Sequence, residues 1–278
     1  VEIEVKADGS TEVTKHYAMG RSANELSLVM PDEKTVYITD DGTNTALLMY
    51  VAEDKKGRDL PRGDLSQGTL YAGVWVQTAD TAEGGSATLE WINLGHATAD
   101  DIKQAVDSGL SFDELFDYET PNADGTCPTL ESINSGHGGP YHECLSIKGD
   151  ESIVSRLESR RFAALKGATT EFRKMEGASY DKAGRILYMA MSEVGKGMTD
   201  GDPALDLGGP NHIRLTANKC GAIYALPVRN GVKDSDGKRI NSKYVATKME
   251  GILAGVPQDA DENGNNGCSL EGIGNPDN

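Results

Sequence analysis

Apolar and polar residues alternate with a period of two over much of this chain, and the elements they predict are short strands separated by glycine- and acid-rich turns. Residues 1–5 read Val-Glu-Ile-Glu-Val, a half-exposed strand, and Ala7-Asp8-Gly9-Ser10 turns the chain into a hairpin partner over 11–17. Thr35-Val36-Tyr37-Ile38-Thr39 predicts the next strand, closed by the acidic turn Asp40-Asp41-Gly42 and followed by a strand over 46–51. Further strands are predicted over 68–76, 88–92, 185–191 and 220–228. Most carry an aromatic anchor, among them Tyr71, Trp75, Trp91, Tyr188 and Tyr224. Two stretches depart from this rhythm. Residues 98–118 show N-cap signatures and helical spacing, and residues 150–165 place Ile153, Leu157 and Ala164 on one helical stripe with Arg156, Arg160 and Arg161 nearby. Between them, 119–149 is rich in Gly, Asn, Pro and Cys and reads as a long loop, a length that in a compact domain marks a functional or crosslinked insertion.

Short aromatic-anchored hairpins with few helices predict an all-β fold, specifically a β-propeller. Blades of about 40–50 residues leave room for roughly four to six. No fixed repeat can be counted, and a large β-sandwich is the competing architecture. The expected organisation is a single domain over 1–278, with a helix- and cysteine-containing insertion at about 98–165.

Composition narrows the partners. Against 27 Lys and Arg stand 44 Asp and Glu, a formal net charge of −17, so the chain has no basic field with which to hold nucleic acid or an anionic bilayer. No apolar run approaches the roughly 18 residues of a membrane span. The four cysteines, Cys127, Cys144, Cys220 and Cys268, form no C-x-x-C pair, which argues against a zinc ribbon or a thioredoxin motif. Two disulfides in an exported protein are the natural reading. Three connectivities are open, and sequence proximity favours Cys127 with Cys144 and Cys220 with Cys268. A chain that begins at Val1 without a signal-like apolar run is expected to be a processed product or a piece of a longer one.

Candidate chemistry sits in the turns. Glu25, Asp40, Asp41, Glu176 and Glu193 stand at strand ends. From such positions acids of several strands can converge in a propeller's central channel and hold hard, oxygen-preferring cations. Asp259-Ala260-Asp261-Glu262-Asn263-Gly264 matches the first half of a calcium loop, with Asp259, Asp261 and Asn263 as donors, but position twelve is Leu270 and the closing glutamate, Glu271, comes one residue late. Asp234-Ser235-Asp236-Gly237 reads as a hairpin tip. Among so many acids, Arg160, Arg161, Arg173 and Lys174 are either phosphate contacts or ion-pair partners. His142, beside Glu143 and Cys144, is a weaker metal candidate. No Walker, nucleophile-elbow or zincin motif is present.

Seven segments occurring in order carry a family resemblance. They are Gly20-Arg21-Ser22-Ala23-Asn24-Glu25, Val36-Tyr37-Ile38-Thr39-Asp40-Asp41, Gly68-Thr69-Leu70-Tyr71-Ala72, Arg161-Phe162-Ala163-Ala164, Gly167-Ala168-Thr169 leading to Glu176-Gly177, Asn218-Lys219-Cys220-Gly221-Ala222-Ile223-Tyr224, and Gly274-Asn275-Pro276-Asp277-Asn278. Together they resemble the PhoX-type alkaline phosphatases over most of the chain. That resemblance implies a six-bladed β-propeller exported by the twin-arginine route to the periplasm or beyond. It also implies an Fe3+ and Ca2+ centre and hydrolysis of small phosphate monoesters by a metal-activated oxygen nucleophile.

By motif match, Glu25, Asp41, Asp40 and Glu176 are the implied metal ligands, and Lys174 stands at the phosphate-contacting arginine position with Glu176 beside it in the catalytic set. The chain departs from the pattern at Asn24, where the family has His, at Thr39 for Gly, and at Met175 for Pro. A lysine keeps the charge of the arginine but loses its two-pronged grip. Other ligand segments of the family lie upstream of Val1 and downstream of Asn278, so residues 1–278 are expected to be an interior piece of a propeller. Two other functions are open on the same scaffold: a non-enzymatic calcium-binding module for partner binding or assembly, and a phosphodiesterase or lactonase-like hydrolase.

Overall fold

Strands appear where the alternation places them. In the computed structural model, which describes residues 1–55, 63–135, 142–259, 267–269 and 272–277, β1 (Glu2–Val5) and β2 (Thr11–Thr14) form the first hairpin, with Ile3 opposite Val13. Then follow β3 (Asn24–Val29), β4 (Thr35–Asp40), β5 (Leu48–Asp54) and the long pair β6 (Gly63–Ala79) and β7 (Ser86–Thr98). An insertion comes next: α1 (Ala99–Ser108), α2 (Phe112–Leu115), β8 (Phe116–Glu119), β9 (Glu131–Asn134), β10 (His142–Ile147), α3 (Glu151–Leu157) and α4 (Ser159–Leu165). The chain closes with β11 (Met175–Asp181), β12 (Ile186–Met191), β13 (Ala222–Arg229), β14 (Val245–Ala246) and β15 (Lys248–Ala254).

Ten of the described strands make one antiparallel sheet in the order β11-β12-β13-β15-β7-β6-β5-β4-β3, with β14 on β13. The two ends of this path meet. β11 lies against β3 and β4, Thr45 and Phe172 exchange backbone hydrogen bonds, and Lys174 N donates to Gly42 O at 2.9 Å. The sheet is therefore nearly closed, which leaves little open edge to pair with another chain. This is the all-β, propeller-like architecture that the patterning predicts, with its strands running as one continuous sheet.

Packing explains why β4 and β5 read as unbroken apolar runs. Tyr37, Met49 and Val51 point into one core with Trp75, Trp91, Phe172, Met189 and Tyr224, whereas Val36, Ile38, Leu48 and Tyr50 face a second core with Leu70 of β6 and, from the insertion, Phe116, Val154 and Phe162. A strand covered on both faces has no polar side to show. Trp75 anchors the first core through edge-on contacts with Phe172 and Tyr224, each with ring centroids 6.2 Å apart.

Three strands and part of the insertion differ from the sequence reading. β11 and β15 contain Gly177 and Gly251, and glycine in an apolar run reads as a break; a Cβ on Gly251 would lie 2.2 Å from Glu83 O, so the close approach of a neighbouring turn requires it. β3 is obscured by a bulge between Asn24 and Ser27. The segment read as loop, 119–149, holds β9 and β10, which with β8 form a three-stranded sheet stapled by Cys127–Cys144. Cys220–Cys268 is the second disulfide, so proximity names both pairs. The helices start as their caps predict: Thr98 Oγ1 accepts from Asp101 N, Ser111 and Glu114 form a capping box, and Asp150 accepts from Ser152 N. Asp234 takes the hairpin-tip role, its carboxylate accepting from the backbone of Asp236 and Lys238. Among the described residues no helix is long and apolar enough to cross a membrane.

Arg156 joins the insertion to the sheet. Only 1% exposed, it donates from Nε to Ala18 O at 2.6 Å and from its other nitrogens to Gly95 O at 2.8 Å, Gly68 O at 3.3 Å and Leu94 O at 3.4 Å. Burial pushes its pKa down to about 10, still charged at neutral pH. Arg156→Met leaves these carbonyls without their donor and is expected to cost about 2–3 kcal/mol, a fall of roughly 5–10 °C in thermal unfolding followed by circular dichroism.

Candidate functional site

Two of the acids singled out from the sequence, Asp41 and Glu176, meet where the sheet closes. β4 ends at Asp40, and the following turn carries Asp41 and Gly42. Asp41 N donates to Ala23 O at 2.9 Å, which ties the turn to the segment entering β3. Two of the departures from the family pattern work locally here. Thr39 Oγ1 accepts from Leu26 N at 3.0 Å and closes the β3 bulge, and Asn24 Nδ2 donates to Ser27 Oγ at 2.9 Å across it. Glu25 lies within that bulge and is exposed, one residue past Asn24, which pairs with Asp40.

The opposite wall is the entry to β11. Lys174 adopts a left-handed backbone, φ 47°, and its N–H and C=O are shared between Gly42 O at 2.9 Å and Ser192 N at 3.2 Å. Holding a residue without a glycine's freedom in this region is costly, and the backbone bonds on both sides impose it. The result aims the side chain at two carboxylates. Lys174 Nζ donates to Asp41 Oδ1 at 3.2 Å and makes a short ion pair with Glu176 Oε1. These contacts, Glu176 first, raise the Lys174 pKa, so its ammonium persists through the physiological range. Glu176 is nearly buried, while Asp41 and Lys174 keep about a third of their side-chain surface open.

Each neighbouring acid has its own base. Asp40, expected beside Asp41 among the ion's ligands, is 0% exposed and has both oxygens on Arg160, Oδ2 on Nε and Oδ1 on Nη2, each at 2.5 Å. Arg160 Nη2 also donates to Asp41 O at 2.9 Å, so the pair braces the turn beneath the site. Arg173 donates from Nε to Glu193 Oε2 at 2.8 Å and from Nη1 to Thr43 Oγ1 at 2.7 Å. Arg161 pairs with Glu143 at 2.8 Å and Glu158 at 2.7 Å. All four basic candidates are thus bound in ion pairs, and Lys174 is the one placed between two candidate ligands.

The C-terminal segment completes the rim. Asn275 Nδ2 donates to Ser192 O at 2.9 Å and Lys219 O at 2.8 Å, and a Cβ on Gly177 would lie 2.9 Å from Asp277 O. Gly177, directly after Glu176, is small because this segment crosses over it. Asp259 is exposed on the stretch leading to the Cys220–Cys268 disulfide, and the remaining calcium-loop residues, Asp261 and Asn263, lie outside the described residues. His142 lies with Cys127 and Cys144 in a cluster of ligand-type atoms, but both sulfurs are spent in the disulfide and its Nε2 bonds Ser132 Oγ at 2.9 Å.

Sequence reasoning passed over a buried polar cluster behind the site. Glu171 is 4% exposed; its Oε2 accepts from His212 N at 2.8 Å and Ile213 N at 3.2 Å, and its Oε1 has no hydrogen-bond partner among the described residues. Burial pushes its pKa up to about 8, with the nearby charge of Asp206 adding to the effect. A lone acid in the mostly polar stretch Thr169-Thr170-Glu171-Phe172 carries no sequence signal that sets it apart from a solvated one.

The family model described as alkaline phosphatase PhoX matches residues 1–278. Among curated proteins nothing matches. Among solved structures, Pseudomonas fluorescens PhoX in complex with vanadate, a transition state analogue, is similar, with a TM-score of 0.50 and 19% identity over 95% of this chain and 38% of that chain. That identity speaks for the fold alone, and the chain spans about 38% of the protein it resembles.

Proposed function

Because the chain belongs to the alkaline phosphatase PhoX family, we propose that it forms part of a metal-dependent phosphomonoester hydrolase, with its site at the closure of the sheet. The observation that carries this reading is the convergence of Asp41 and Glu176, distant in sequence, on one positive centre, the Lys174 ammonium. An all-oxygen pair aimed at a single cationic point has the donor chemistry that hard ions prefer, so these residues fit such a group. In this reading Asp41, Glu176 and Glu25 hold the ions and Asp40 keeps Arg160 in place. When bound, ferric and calcium ions would supply Lewis-acid charge to the phosphate oxygens.

The chain's own residues do the rest. Lys174 exchanges its carboxylate contacts for a phosphate oxygen. Arg173, anchored by Glu193 and Thr43, fixes the strand entry that aims Lys174. Residues 1–278 are then one partial propeller domain with an insertion at about 98–165, and the two disulfides support an exported protein.

One further observation favours a second reading, a calcium-binding module without turnover: the same lysine already engages both acids. Metal content and hydrolysis of p-nitrophenyl phosphate by the full-length protein, with and without chelator, separate the two. Hydrolysis requiring both iron and calcium is expected; calcium without iron and without turnover favours the module, and cleavage of diesters alone points to a phosphodiesterase. Glu176→Gln is expected to lower turnover by about 100-fold and Lys174→Met by roughly 100- to 1,000-fold, while Lys174→Arg retains activity. Full activity in Glu176→Gln removes that residue from the site.

A further inference from the structure

We propose that the cleft between α1 and residues 15–22 binds a small amphipathic carboxylate, a single hydrocarbon chain ending in one negative head. The inference stands apart from the hydrolytic reading, since Asp41, Lys174 and Glu176 do not line this cleft. One wall is written into the sequence of α1. Ile102, Ala105 and Val106, followed by Leu110 beyond the Gly109 cap, recur at helical spacing, while charged and polar residues such as Asp100, Lys103, Gln104 and Asp107 fill the rest of the circumference. The core uses only the start of that stripe. Ile102 is 1% exposed, but Val106 is 44% and Leu110 37% exposed. An apolar stripe that outruns the core it packs on leaves surface for a ligand to cover.

Other elements continue the apolar lining. Phe112 and Leu115 come from α2, Leu157 from α3, and Tyr17 from the segment that precedes β3. The space they enclose is about 560 Å3. Small-molecule sites measure roughly 300–1,000 Å3 and are mostly apolar, with a few placed polar groups that orient the ligand. Here those groups are cationic. On a chain of net charge −17, the cleft is lined by Lys15, His16, Arg21 and Arg156 against a single acid, Glu158.

Most of these charges are already matched. Glu158 is held between two arginines, Oε1 on Arg21 Nη1 at 3.1 Å and Oε2 on Arg161 Nη1 at 2.7 Å. His16 Nε2 is spent on Glu2 at 2.9 Å, and Arg156 is buried with its nitrogens on main-chain carbonyls. Lys15 is different. It meets no carboxylate among the described residues, and its ammonium lies 4.7 Å from the centre of the Tyr17 ring. Arg21 keeps 62% of its side-chain surface open, and of its guanidinium nitrogens only Nη1 has a partner among the described residues. The Nε and Nη2 donors left over form the edge that takes both oxygens of a carboxylate. With Arg21 shared by Glu158, Lys15 supplies the exposed positive charge that is not yet balanced. A carboxylate cancels it, whereas a doubly charged phosphate exceeds it and a neutral or cationic chain leaves it unmatched.

The test titrates octanoate into the full-length protein by isothermal titration calorimetry, with octanol and octyltrimethylammonium as its neutral and cationic counterparts. Saturable binding of octanoate at one site per chain is expected, with octanol about tenfold weaker and octyltrimethylammonium weaker still. Lys15→Glu, a change at an exposed side chain, should weaken octanoate by about tenfold and leave octanol unchanged. Val106→Glu, on the exposed part of the α1 stripe, should weaken both. The double variant Asp41→Asn/Glu176→Gln should bind octanoate as wild type does, which separates this cleft from the proposed hydrolytic centre. Equal affinity of wild type for octanoate and octanol overturns the proposal, as does octanoate affinity unchanged in Lys15→Glu. Absence of saturable octanoate binding, or its loss in the double variant, overturns it as well.

Discussion

Arg160→Met is expected to cost about 3–5 kcal/mol of folding stability, because it abandons a charge in the interior. Asp40 is 0% exposed and both its oxygens rest on the Arg160 guanidinium at 2.5 Å. With the arginine gone, the carboxylate must either stay ionised without solvent or take up a proton. The corresponding fall in Tm is roughly 10 °C. The damage should extend to the site, since Arg160 also holds the carbonyl of Asp41 at 2.9 Å. Adding Asp40→Asn to Arg160→Met should recover part of the loss, because a neutral amide is far cheaper to bury than a carboxylate. Urea or thermal unfolding of the single and double variants checks both statements. A single variant as stable as wild type would show that Asp40 finds another partner or water.

Glu171 is expected to make the protein less stable as pH rises. Its folded-state pKa of about 8 lies above its ordinary value of 4.5, so the folded protein holds a proton that the unfolded chain has released. Stability from this group is complete below about pH 4.5 and is lost as pH climbs through 8, a total on the order of 5 kcal/mol. Roughly 2 kcal/mol of that falls between pH 6.5 and 8. Buried His142 and half-buried His212, whose pKa values are lowered by desolvation, act in the opposite sense and only below that window. Asp206, raised by burial, acts in the same sense as Glu171. Denaturant unfolding in EDTA across pH 6–9 should show the decline in wild type and a much flatter profile in Glu171→Gln. Identical slopes in the two proteins would remove Glu171 as the cause.

The site was partly legible as residues and not legible as an arrangement. Lys174 and Glu176 are two apart on one strand entry, so their nearness needs no fold. Asp41 reaches them only because β11 closes against β3 and β4. Asp40 and Asp41, consecutive and chemically alike, part company for a reason that alternation does predict: successive residues at a strand end point to opposite sides. Which side holds Arg160 and which Lys174 depends on the layer each side faces. Glu171 escaped notice because an isolated acid carries no periodic signal, and its burial follows from the loop ending at His212 and Ile213 folding over it.

Local residue order by itself determined the β character, the hairpin turns, the helix caps and the family, and favoured both disulfide pairs by proximity, all of which depend on short-range patterns of polarity, spacing and backbone preference. Only the tertiary structure decided that β4 and β5 are covered on both faces, that Gly177, Gly197 and Gly251 mark close approaches, and which acid meets which base. Those outcomes depend on how the two ends of a long sheet come together, and a contact between remote segments leaves no trace in the spacing of either one.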